Sequence, residues 1–214
     1  MFLRLEEFRR SAATNIVSVG EACANAYNLR RFYNIGEAYP FDWWVCEAQQ
    51  TVAFLRDPDL GRLYNPELLE LTEGRSSVRH KEYGILLHHE FPKEWVDGAA
   101  RVVRDWQEHI NAPLQRSTKL LNRFMAMNAP GRRIAFIING KNSDELGAAL
   151  ANLFPNADWT LVHLDYIRVA DEGEPWKGDQ SAWDQVLEGL GLILHQSGEN
   201  LKVELNPETE RLNP

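Results

Sequence analysis

Cysteine is scarce in this chain. Cys23 and Cys46 are the two among 214 residues, too few for a disulfide framework in a domain of this size. Long apolar runs are missing too, and no window approaches the roughly 20 residues that a membrane span requires. The opening segment, MFLRLEEFRR, carries acidic residues and no apolar stretch of signal-peptide length. Positive charge is in deficit: 23 Lys and Arg face 31 Asp and Glu, a formal net charge of −8. Such a surface repels phosphate backbones, which argues against nucleic acid as a partner. The one basic cluster, Arg30-Arg31, falls on a predicted helix beside Leu29 and Phe32 and fits a solvated helix edge as well as an anion contact. CxxC, HExxH, carboxylate runs and a glycine-rich phosphate loop are all lacking, so no metal and no cofactor are expected. Internal repeats and low-complexity tracts are missing as well. The expectation is a protein of a reducing, cytoplasmic compartment with no membrane partner and an unassigned small-molecule or peptide substrate.

What is present suffices for a substantial core: 44% hydrophobic residues and seven Trp. The length fits a single domain, expected over residues 1–205, with a polar tail at 206–214. Asn15 to Gly20 is β-branched and ends at a glycine, a strand signal, and helical composition follows from Glu21 to Phe32. Pro40 ends one segment, and Asp42 is placed to cap a helix from Trp43 to about Leu55. A short helix is expected at Pro66–Leu71 and a largely apolar strand over Tyr83–Phe91. Glu94 to Asn128 reads as helix broken by Pro113. Arg133–Asn139 is a continuous apolar run, the mark of a strand buried on both faces. A helix from Ser143, a strand at Trp159–Leu164, a helix at Ser181–Leu194 and an edge strand at Leu201–Leu205 complete the pattern. Strands alternating with helices predict an α/β fold, a three-layer domain with a mainly parallel sheet flanked by helices.

In parallel sheets, sites form beyond the carboxyl ends of the strands. Three predicted ends carry polar residues: Ser18 to Cys23, His88 to Glu90, and His163 to Asp165. Cys23 falls at a helix N-terminus, where unpaired N–H groups and the helix dipole favour thiolate, the nucleophilic form, and could also hold an oxyanion. A small buried side chain beside Ala22 and Ala26 is the competing reading. His88 and His89 end a predicted strand and point to opposite faces, so one at most serves a given pocket as base. Asp42, Glu90 and Asp165 are candidate orienters of that base, with helix capping the alternative for Asp42. His163 and Asp165, two apart, form a second base-and-orienter pair or two metal ligands. Cys46, among Trp43, Trp44 and Val45, reads as core. Gly140-Lys141-Asn142-Ser143 offers a small-anion site at a helix N-terminus.

Val17-Ser18-Val19-Gly20-Glu21-Ala22-Cys23, with Ala26, Leu29-Arg30-Arg31-Phe32 and Tyr39-Pro40-Phe41-Asp42-Trp43-Trp44, resembles the opening of a bacterial family of unassigned function described as papain-like cysteine peptidases. His89-Glu90-Phe91 is similar to that family's His-Asp-Phe element, with Glu90 in place of Asp. Arg116 and the strand Ile134 to Ile138 resemble its later features, over roughly residues 15 to 165. The resemblance implies Cys23 as nucleophile and His89 as base. The order strand, Ser18-Val19-Gly20, helix also resembles, distantly, the first block of SGNH-type hydrolases, which would make Ser18 the nucleophile, with His163 a possible base. A third reading is a module without turnover that binds a sugar or nucleotide-sugar through Trp43, Trp44 and Arg30.

Overall fold

The structure, a computed structural model, describes residues 1–140, 144–164 and 177–195. In chain order the elements are α1 (Leu5–Phe8), β1 (Asn15–Ser18), α2 (Cys23–Tyr33), α3 (Ala48–Arg56), α4 (Leu60–Leu63), β2 (Leu69–Leu71), β3 (Val78–His80), β4 (Leu86–Leu87), β5 (Lys93–Val96) and β6 (Ala99–Val102). α5 (Asn111–Ala126), β7 (Arg133–Asn139), α6 (Asp144–Leu153), β8 (Asp158–Leu164) and α7 (Gln180–Leu190) follow. The fold is mixed α/β. Its one parallel sheet among the described residues has the order β1-β7-β8, with Ser18 beside Ile137 and Ile138 beside His163.

The central strand shows why an unbroken apolar run was needed. Side chains alternate across a strand, and both faces of β7 are covered. Ile134, Phe136 and Ile138 join a cluster with Val17 of β1 and Val19 just after it, Val52 and Leu55 of α3, Phe124 of α5 and Leu146 and Leu150 of α6. Ala135 and Ile137 join the opposite cluster, with Leu29 and Tyr33 of α2 and Trp183 and Leu187 of α7. Each fully buried Ile or Phe there contributes about 1.5–3 kcal/mol relative to exposure. α2 and α6 therefore lie on opposite faces of the sheet.

Several expectations for the middle of the chain are corrected. Asp42 does not cap a helix from Trp43; Pro40–Asp42 is a single 3-10 turn, and the helix begins only at Ala48. The intervening Val45 and Cys46 are extended and pair with Leu86 and Glu21. The aromatic side chains override helix propensity here: Phe41 and Trp44 are fully buried and meet Phe54 edge-on at 6.1 and 5.2 Å. Pro66–Leu68 is a 3-10 turn that leads into β2. Tyr83–Phe91 contributes just the two residues of β4, in an antiparallel sheet of order β2-β3-β4, and so adds no strand to the parallel sheet.

The helix expected from Glu94 is instead the hairpin β5-β6. Asp97-Gly98 turns it, with φ of 52° and 76°, the paired positive values of a two-residue hairpin loop. Pro113 breaks nothing, because it lies in the first turn of α5, where its missing N–H has no helical partner to lose. β7, β8, α6 and α7 fall where the periodicity put them, within a few residues. Ser143, Asp165, the Lys141-Asn142-Ser143 part of the anion site, the strand at Leu201–Leu205 and the tail lie outside the described residues. No helix among the described residues is long and apolar enough to cross a membrane.

Candidate functional site

Two neighbouring parallel strands, β1 and β7, hand over to helices on opposite faces. Between such strands the connections diverge, and the carboxyl edge at such a point is where open α/β sheets hold ligands. The chain is under constraint there. Gly20 follows β1 at φ 124°, and Glu21 is left-handed at 76°, a conformation that costs a non-glycine residue about 1–3 kcal/mol and persists only where its surroundings fix it. A Cβ on Gly20 would come within 2.7 Å of Thr51 Oγ1 and 3.0 Å of the Cys46 carbonyl oxygen. On the neighbouring strand Gly140 follows β7 at φ 156°, and the Glu21 carboxylate occupies the position its Cβ would take.

Cys23 is the first residue of α2 and half-buried. The sequence led to a thiol with lowered pKa. The structure corrects that: burial raises it above its ordinary value, and the backbone N–H groups of Cys23 and Ala24 offset this only in part. Desolvation of the charged form outweighs two amides. No hydrogen bond joins Cys23 Sγ to an imidazole among the described residues. Cys46 is core, as expected: it is 1% exposed, 3.4 Å from Thr51 Oγ1, and burial pushes its thiol up to about 11.

Below the turn, Asn25 joins α2 to both strands. Its Nδ2 contacts Ser18 Oγ (2.9 Å), the Ile137 carbonyl (3.1 Å) and the Gly20 carbonyl (3.3 Å). Ser18 is 3% exposed and accepts from that amide, so its hydroxyl is packed between β1 and α2 and offers no open face to a substrate.

His88 and His89 follow β4. Lys93 Nζ donates to His88 Nε2 at 3.2 Å, which leaves that ring neutral with its proton on Nδ1. His89 meets the His88 ring at 4.8 Å and the Trp43 ring at 5.8 Å, both edge-on. Burial, then the neighbouring His88 and Lys93, push His89 down to about 4. Burial also lowers Lys93. Both imidazoles are thus neutral at pH 7. The segment between them and the thiol is shared, since Glu21 pairs with Cys46 and Val45 pairs with Leu86.

The candidate orienters are engaged elsewhere. Asp42 Oδ2 accepts from the Tyr39 N–H at 3.1 Å, and burial raises its carboxyl to about 7 against the lowering influence of that bond, Arg30 and Arg123. Glu90, also buried, accepts from Arg116 at 2.5 Å. His163 sits on β8 with its Nδ1 buried and unbonded among the described residues, near Asp144 at the start of α6. Its proposed partner Asp165 is not among them, and no group of three or more His, Cys, Asp or Glu among the described residues is arranged to hold a metal. Of the aromatic platform, Trp44 is fully buried and only Trp43 remains half-exposed. Arg30 is turned to the Ile35 and Gly36 carbonyls.

Sequence reasoning missed Glu21, Asn25 and Lys93. A glycine–glutamate pair after a strand was the available signal for the first; Lys93 was hidden by the mistaken helix. Known family models, curated proteins and solved structures yield no match to the chain.

Proposed function

We propose that the chain is a cysteine-dependent acyl-transfer enzyme, a hydrolase or acyltransferase, built as a three-layer α/β domain with Cys23 as nucleophile. One observation carries this reading: Cys23 opens a helix at the carboxyl edge of two parallel strands whose helices lie on opposite faces, its sulfur beside its own N–H and that of Ala24. Those amides are the kind of donors that hold a developing oxyanion. Sγ bonds to the substrate carbonyl carbon, the thiol proton passes to a neutral histidine and the carbonyl π pair goes onto oxygen. Collapse expels the leaving group, which takes that proton, and water then releases the acid from the thioester.

His89 is the base of this scheme. A neutral ring is the right starting state, but its low pKa makes it a weak base for a buried thiol. The resting arrangement is therefore incomplete, and bringing His89 to the thiol on bound substrate belongs to the proposal. Ser18 has no role as nucleophile in it.

The second reading is a ligand-binding crevice without turnover. The missing thiol–imidazole hydrogen bond favours it. Iodoacetamide and a fluorophosphonate probe separate the possibilities. The enzyme reading expects Cys23 to be alkylated well before Cys46, at a rate that climbs with pH into the alkaline range, and expects no label on Ser18. Equal, slow alkylation of both cysteines argues for the binding module, and a fluorophosphonate adduct on Ser18 argues for a serine esterase.

A further inference from the structure

At the other end of the sheet a 130 Å³ recess opens beside the first residues of β1 and β7. Its floor is polar and fixed. Asn15 Nδ2 donates to the Tyr39 hydroxyl at 2.9 Å, and that hydroxyl donates to Glu37 Oε2 at 3.0 Å. Asn15 and Tyr39 are 8% and 2% exposed. Two arginines, Arg123 and Arg132, line the same recess, as does Glu37. Arg123 spends one N–H on the Ala38 carbonyl (2.8 Å). Neither arginine forms an ion pair with Glu37, or with any other carboxylate among the described residues. Ala126 and Met127 supply an apolar wall.

A recess lined by two arginines and a glutamate that form no ion pair with one another, Arg123 also lying near enough to Asp42 to lower its pKa, is complementary to a small molecule carrying both signs. We propose that it binds a free α-amino acid as its zwitterion, with the carboxylate on Arg123 and Arg132, the ammonium on Glu37 and a short apolar side chain against Ala126 and Met127. Planar guanidinium groups match a carboxylate in geometry as well as charge. The Tyr39–Glu37 bond presents the Glu37 carboxylate in one position, so little ordering is needed on binding. This site lies at the amino ends of the strands, and Cys23 at the carboxyl ends, so the inference does not depend on the acyl-transfer reading.

Isothermal titration of the full chain at neutral pH tests it with three probes: L-alanine, propionate, which lacks the ammonium, and ethylammonium, which lacks the carboxylate. Alanine is expected to bind, with propionate weaker by roughly tenfold or more and ethylammonium silent. Glu37→Gln keeps an acceptor for Tyr39 and should erase the preference for alanine over propionate. Arg132→Met, a change at an exposed residue, should abolish alanine binding without lowering Tm. No heat with alanine, equal affinity for alanine and propionate, or unchanged binding by Arg132→Met would each overturn the proposal.

Discussion

Glu21 and Cys46 exchange two backbone hydrogen bonds, Glu21 N–H to the Cys46 oxygen at 2.7 Å and Cys46 N–H to the Glu21 oxygen at 3.2 Å. This pair ties the turn that presents Cys23 to the segment that carries Trp43 and leads, through Val45 and Leu86, to the histidines. Thr51 closes the same knot by donating to the Val19 carbonyl at 3.2 Å.

Gly20 is the tightest point of that knot. Gly20→Ala sets a Cβ against Thr51 and the Cys46 carbonyl in a backbone conformation that L side chains avoid. A loss of about 1–3 kcal/mol is expected from urea unfolding. Alkylation of Cys23 should change as well, because the turn must shift. Unchanged stability and unchanged alkylation would show that the turn is looser than described.

Asp42 should make stability fall as pH rises. Its carboxyl titrates at about 7 in the folded protein against 3.8 ordinarily, so the folded state holds the proton more tightly. That stabilisation is full below pH 3.8 and is lost as pH rises to about 7. Asp42→Asn keeps an acceptor for the Tyr39 N–H and removes the titration. The variant should exceed the parent by on the order of 2–4 kcal/mol at alkaline pH, and the difference should vanish in acid. His89 works in the opposite sense. Its folded value of about 4 lies below the ordinary 6.5, so its contribution is present above 6.5 and lost as pH falls toward 4. Melting temperature followed across pH 3 to 8 in parent and variant separates the two effects.

Arg116 neutralises a carboxylate that is only 2% exposed. Arg116→Met leaves Glu90 without its cation and should cost about 2–3 kcal/mol, below the range for fully buried pairs because the Arg116 side chain is 48% exposed. Denaturant unfolding at neutral pH checks this. Glu90→Gln combined with Arg116→Met should restore part of the loss; a double variant no better than the single one would place the effect in packing.

The sheet was legible from the chain because β7 depends on an unbroken apolar run, β8 follows as a short run rich in strand-forming residues, and Gly20 marked the turn into α2. The middle was not. Trp95 and Val96 on one side of Asp97-Gly98, and Ala100 to Val103 on the other, carry apolar spacings that helix and hairpin share over so short a span, and the Asp-Gly dipeptide decided the matter. Phe41 and Trp44 were legible as important but not as core, since burial of that cluster comes from α3 and α5. At the site, the position of Cys23 on α2 followed from local composition. The cost of burying its thiol did not, because that depends on what packs over it, and neither did the contact between Lys93 and His88, which needs the true course of β4 and β5.

The most direct test of Cys23 as nucleophile is mass spectrometry of the chain after exposure to p-nitrophenyl acetate, with release of p-nitrophenol followed in parallel. An acetyl group on the peptide that contains Cys23, with release abolished by Cys23→Ala and retained by Cys46→Ala, is the predicted result. Release that is indifferent to Cys23→Ala, with no acetyl on Cys23, would contradict it.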